Sequence, residues 1–133
     1  MLVFLFAATA HAIGPEDLAG AWKVGRTVVL SNCADRKEQA GDVLPVEIWT
    51  VAYAGGVLSA RPPATVDEQP YTGVFTVEGV AFTRGATDTL TLALLAPGLL
   101  RGRELWARQR WVEADRKYSG ACAVFYQVEA HRQ

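Results

Sequence analysis

The feature that most constrains this chain is a hydrophobic period of two, recurring in short runs between turn residues from Ala21 almost to the C-terminus. In an extended strand successive side chains point to opposite faces, so such runs build sheet with one buried face and not amphipathic helix. Trp22, Val24, Arg26, Val28 and Leu30 fall on one face, and Lys23, Gly25, Thr27 and Val29 on the other. Tyr71, Gly73, Phe75 and Val77 alternate with threonines and Val74; Leu90, Leu92 and Leu94 alternate with Thr89, Thr91 and Ala93. Cys122, Val124, Tyr126 and Val128 share the last such face. Val43–Tyr53, Val57–Arg61 and Val80–Thr83 are further β-rich runs. Gly55-Gly56, Pro62-Pro63, Glu78-Gly79, Arg84–Asp88 and Pro97-Gly98 supply the turn chemistry between runs. Leu99–Val112 reads as a long strand or a bulged pair. Its Arg, Glu, Leu and Ala make it the best helical competitor. Pro15, Glu16 and Asp17 suit one short helical turn before the first strand.

About eight strands joined mostly by short turns predict an all-β, antiparallel up-and-down meander. Closing it removes the exposed edges, which gives a small closed or nearly closed barrel; an open sandwich is the competing architecture. A barrel of this size holds packed side chains or one small ligand. The 133 residues suffice for one domain. Long polar loops are expected at Ser31–Asp42, Ala64–Pro70 and Glu113–Gly120.

The first residues differ from the rest. Leu2–Thr9 is an uncharged apolar run, followed by small residues at Ala10 and Ala12, which reads as a signal peptide over residues 1–12 and a domain over 13–133. No Lys or Arg precedes the run, a departure from the usual leader. The run is too short to span a bilayer, which needs ~20 apolar residues. A secreted or periplasmic location follows, and there the two cysteines, Cys33 and Cys122, are expected to pair. Closing so long a loop is worth roughly 4–5 kcal/mol in the chain-entropy model. Two cysteines and His131 do not complete a four-ligand set, so no metal or other cofactor is expected.

Gly20-Ala21-Trp22, at the start of the first strand and just after the helical turn, resembles the opening of lipocalins and related calycin barrels. The resemblance implies that Gly20 permits a tight entry and that Trp22 plugs one end of the barrel. It also implies a late arginine packed over that tryptophan, for which Arg108, Arg110 and Arg132 are candidates. It implies a barrel able to hold an apolar small molecule, without naming one.

No catalytic constellation is evident. His131 lies three residues from the end, where chains fray. Glu47 and Glu104 sit inside predicted strands and could serve as acid or base if they pointed inward; the expectation is that they face solvent. The formal net charge of −1 argues against general affinity for nucleic acid. Between Leu99 and Lys117, however, Arg101, Arg103, Arg108, Arg110, Arg116 and Lys117 outnumber Glu104, Glu113 and Asp115. Such a strip could meet an anionic ligand, a membrane surface or an acidic partner. On a strand, Arg101 and Arg103 share one face while Arg108 and Arg110 share the other, which splits the strip into a solvated surface. Trp22 is expected in the core, and Trp49, Tyr71, Phe75 and Trp106 are the expected ligand-facing aromatics.

Two functions are therefore carried forward ahead of a third, an enzyme resting on inward Glu47 or Glu104. One is an exported, non-enzymatic, lipocalin-like protein that binds an apolar or amphipathic small molecule. The other is an exported structural or interaction protein whose filled barrel meets a protein or envelope partner through its surface. Neither spans a membrane, and the oligomeric state is left open.

Overall fold

The computed structural model describes residues 13–33, 36–63, 69–112 and 117–133, with side chains described except at 109–112 and 117–121. The expected leader, Asp35, Glu113, Asp115, Arg116 and the side chains of Arg110, Trp111 and Lys117 lie outside the described residues.

A 3-10 turn, Pro15–Leu18, is followed by eight strands: β1 (Gly20–Ser31), β2 (Glu47–Ala54), β3 (Val57–Arg61), β4 (Tyr71–Thr76), β5 (Gly79–Arg84), β6 (Asp88–Ala96), β7 (Leu99–Val112) and β8 (Lys117–Arg132). Each pairs antiparallel with the next, and β8 pairs with β1 to close a barrel. The meander is thus the one the alternating runs predict, and Leu99–Val112 is strand throughout. The 3-10 turn, the turns after β2, β4 and β6, and the C-terminus lie at one end, the base. The β1–β2 and β3–β4 loops and the β7–β8 hairpin lie at the other end, the top.

Three local readings are corrected. The turn after β4 is Val77-Glu78 and not Glu78-Gly79. Gly79 belongs to β5, at φ 156°, where a Cβ would overlap the Leu92 carbonyl; glycine is required there by the close approach of β6. β2 begins only at Glu47, because Val43 makes a single bridge to Thr27. Leu30 does not share the inner face with Val28. A register shift between them, a bulge, turns Leu30 outward to 53 % exposure.

The base is sealed from the sequence motif upward. Trp22 is buried, and its Nε1 donates to the Leu18 carbonyl at 2.8 Å, tying the 3-10 turn across the barrel end. The Arg132 guanidinium lies 5.7 Å from the Trp22 ring centre and donates to the carbonyls of Asp17 and Ala19. Of the candidate arginines with described side chains, Arg132 covers Trp22, while Arg108 lies over Trp106. Gly20 adopts φ 130°, a left-handed conformation that side chains resist, so the tight entry needs glycine.

At the top, Cys33 and Cys122 form the expected disulfide, with Cα atoms 4.9 Å apart. It joins the end of β1 to β8. Beside it, the Asn32 N–H donates to the Ala123 carbonyl at 3.1 Å, and the Ala123 N–H donates to Asn32 Oδ1 at 2.6 Å.

Candidate functional site

Two places in the barrel carry more chemistry than folding alone explains: a charged layer inside its upper half, and a stretch of outer wall on β1 and β8.

The inner layer starts from Arg26. Alternation on β1 carries it inward with Trp22, Val24 and Val28. A guanidinium inside a small barrel costs heavily unless it is paired. Arg26 Nη1 donates to Glu104 Oε1 at 3.1 Å and Nη2 to Glu47 Oε1 at 2.6 Å. Tyr71 Oη donates to the second Glu104 oxygen at 2.6 Å. The Arg26 guanidinium also faces the Trp49 and Tyr126 rings, 5.9 and 5.2 Å from their centres. Burial works against the charge on Arg26, but Glu104 and Glu47 outweigh it and hold its pKa above the ordinary value.

Above it lies a second set. Tyr126 Oη donates to Glu38 at 2.5 Å, Arg36 donates to the other Glu38 oxygen at 2.8 Å, and Arg36 stacks 4.0 Å over Trp106. Burial would raise the Glu38 pKa, yet the hydrogen bonds from Arg36 and Tyr126 hold it below the usual carboxylate value. Burial first, and then the carboxylate each one serves, push the Tyr71 and Tyr126 hydroxyls well above the ordinary phenol value. A third pair, Arg84 Nε to Asp88 at 3.0 Å, lies over Tyr71. Asp88 also accepts the Ala107 N–H at 3.0 Å and so anchors β7 to the β5–β6 turn.

Glu47 and Glu104 therefore point inward, against the solvent-facing expectation. A general acid or base must reach a substrate proton. Glu104 is only 1 % exposed, and both its oxygens are engaged by Arg26 and Tyr71. Among the described residues, no buried side-chain nitrogen or oxygen lacks a hydrogen-bond partner, and no His, Cys, Asp and Glu cluster could hold a metal ion.

The four expected ligand-facing aromatics separate. Trp49 and Tyr71 come together, ring centres 6.0 Å apart, both buried in the barrel wall. Phe75 is half-buried near the base against the core. Trp106 is half-buried at the top, under Arg36 and Arg108, and borders an open cleft of about 260 Å³ with Gln69, Arg84, Thr87 and Asp88. Below the charged layer, Trp22, Trp49, Phe82, Leu92 and Val128 surround an interior cavity of about 30 Å³. That is far below the roughly 300–1,000 Å³ of a small-molecule site, and its lining is apolar.

Sequence reasoning did not single out Arg26, Arg36, Glu38, Arg84 or Asp88 for this layer. A signal existed for Arg26: a cation within an otherwise buried alternating stripe demands an inward anion from a facing strand.

The outer wall follows from strand register. Leu30 lies opposite Phe125, which lies opposite Leu105. The next outward row toward the base places Thr27 opposite Gln127 and Gln127 opposite Arg103; the row beyond places Glu129 opposite Arg101. The bulge exposes Val29 beside Leu30, and Val43 is exposed next to Thr27.

No protein-family model, curated protein or solved structure matches this chain.

Proposed function

We propose that this is an exported interaction protein, a filled lipocalin-like barrel that meets a protein or envelope partner through its surface. The observation that carries this reading is the interior. Its lower half leaves about 30 Å³, and its upper half is crossed by ion pairs in which, among the described residues, no buried side-chain nitrogen or oxygen lacks a partner. An internal ligand site would present room or unmet donors. The lipocalin-like reading is supported by the arrangement of Gly20, Trp22 and Arg132 at the sealed base. Export is supported by the leader-like first residues and by the disulfide. Among the described residues no helix is long and apolar enough to cross a membrane. The outer face also carries exposed Lys23, Arg61, Arg101 and Arg103 where a membrane barrel would need an apolar band.

The small-molecule reading retains two observations in its favour, the cleft beside Trp106 and an open cleft of about 910 Å³ at the base between Leu18, Leu94, Pro97 and Arg132. Native mass spectrometry of the exported protein, with uptake from a panel of lipids and small hydrophobes, separates the two. The expected result is the bare protein mass and unmoved Trp22 and Trp49 indole N–H signals in NMR. A cargo released by solvent extraction would overturn the surface-acting reading.

A further inference from the structure

We infer that the outer wall of β1 and β8 at the bulge is a docking groove for an acidic, amphipathic segment of a partner protein. This site presupposes the surface-acting reading above and gives it a location.

The bulge between Val28 and Leu30 is the first observation. Plain alternation would return Leu30 to the interior beside Val28. The bulge instead presents two successive apolar side chains to solvent, Val29 at 57 % and Leu30 at 53 % exposure. Bulges re-aim side chains in this way beside functional surfaces. Phe125, opposite Leu30, is 40 % exposed, so an aliphatic and an aromatic side chain stand side by side on the outside. Together with Arg101, Arg103 and Gln127 they line a groove of about 630 Å³. The wall of β4 to β6 also exposes a valine, Val74 at 60 %, but sets beside it only Ala81. There one outward row is Thr72, Thr83 and Thr89, and the next contains Val74, Ala81 and Thr91. Exposed apolar side chains rimmed by polar ones mark contact surfaces.

Charge supplies the second observation and the partner's chemistry. Arg103 is exposed and has no hydrogen bond or ion pair among the described residues. Arg101 has only an exposed contact to Glu129 at 3.4 Å. Along β8 the apolar row, the Arg103 row and the Arg101 row succeed one another at two-residue steps: Phe125, Gln127 and Glu129. An extended segment with an apolar residue, then acids two and four positions later, matches that spacing. Its apolar side chain would lie between Leu30 and Phe125, and its carboxylates would meet the guanidiniums of Arg103 and Arg101, geometry that favours paired hydrogen bonds. A second copy docked face to face would set these arginines against their own counterparts. A membrane fits poorly, since the surface is recessed and each arginine adds only roughly five-fold to affinity for an anionic leaflet.

The test uses the full exported protein, isotope-labelled, titrated with a synthetic extended peptide carrying Leu-Thr-Glu-Thr-Glu, with a counterpart in which lysines replace both glutamates. The acidic peptide is expected to shift the amides of Val29, Leu30, Arg103 and Phe125. Arg103→Glu should weaken it about tenfold, and added salt should weaken it too. Leu30→Ser, at an exposed site, should weaken it without altering the circular dichroism spectrum. Equal binding of the lysine peptide, or binding indifferent to Arg103→Glu and Leu30→Ser, overturns the groove. So does binding to phosphatidylglycerol vesicles in place of the peptide, or a concentration-dependent dimer that Leu30→Ser abolishes. A silent wall on a cargo-free barrel removes this groove alone, whereas cargo inside the barrel removes the surface-acting reading itself.

Discussion

The lower and upper halves of the barrel solve the same packing problem with opposite chemistry. Below, Trp22, Trp49, Phe82, Leu90, Leu92 and Val128 fill the space with hydrocarbon. Above, Arg26, Glu47, Glu104 and Tyr71 fill it with charge and hydrogen bonds. In the apolar half each side chain stabilises in proportion to the surface it removes from water. In the charged half attraction roughly offsets desolvation, so what matters is whether every partner is present. The difference predicts two kinds of fragility: the base responds to volume, the top to missing partners.

The comparison is broken or sharpened first by isosteric loss of charge. Glu104→Leu removes little volume but leaves Arg26 with Glu47 alone and takes the acceptor from the buried Tyr71 hydroxyl, and about 3 kcal/mol of stability should be lost in urea unfolding. Replacing the three charged members and the hydroxyl that serves them, Arg26→Met with Glu47→Leu, Glu104→Leu and Tyr71→Phe, should restore most of that loss. If the combined variant is as unstable as the single one, the layer contributes more than mutual satisfaction. In the lower half, Trp22→Ala should cost a similar ~3–5 kcal/mol, and no partner substitution should rescue it. Tyr71→Phe is milder. It leaves one Glu104 oxygen without its donor and should cost roughly 1–3 kcal/mol.

Smaller effects are read from pH. The Tyr71 and Tyr126 hydroxyls have raised folded pKa values, so their contribution is complete below the ordinary value of 10.0 and is lost as pH rises past it. Stability should fall on the alkaline side, and Tyr71→Phe should flatten that fall. Glu38 is the reverse case: its folded pKa lies below the ordinary 4.5, so its contribution is present above that value and is lost as pH drops beneath it. Glu38→Gln should flatten the acid limb while leaving the neutral region little changed. An acid limb unchanged by Glu38→Gln would mean that its bonds to Arg36 and Tyr126 do not persist in solution.

The fold was more legible than the site. Strand after strand declared itself through alternation, because a barrel has one wet and one dry face along its whole length. The burial of Trp22 at one end was an implication of the Gly20-Ala21-Trp22 resemblance, which left three arginines to cover it. The charged layer was not read, because its members are scattered across β1, β2, β4, β5, β6, β7, β8 and a loop. Glu47 and Glu104 looked like ordinary surface residues until closure aimed them inward beside Arg26. Phe75 and Trp106 illustrate the opposite failure. Their residue type suggested a shared pocket, but register places them at opposite ends.

The amino-acid order by itself determined the strands, the antiparallel meander, the short turn before Gly20 and the expectation that Cys33 and Cys122 pair. These depend on local periodicity and on chemistry that neighbouring residues carry. Only the tertiary structure decided that Arg132 covers Trp22, that Glu47 and Glu104 face inward, and that a bulge sends Leu30 out to meet Phe125. Those outcomes depend on which strand lies beside which and at what register. A one-residue slip at a bulge exchanges inside for outside, and pattern alone does not reveal where the slip falls.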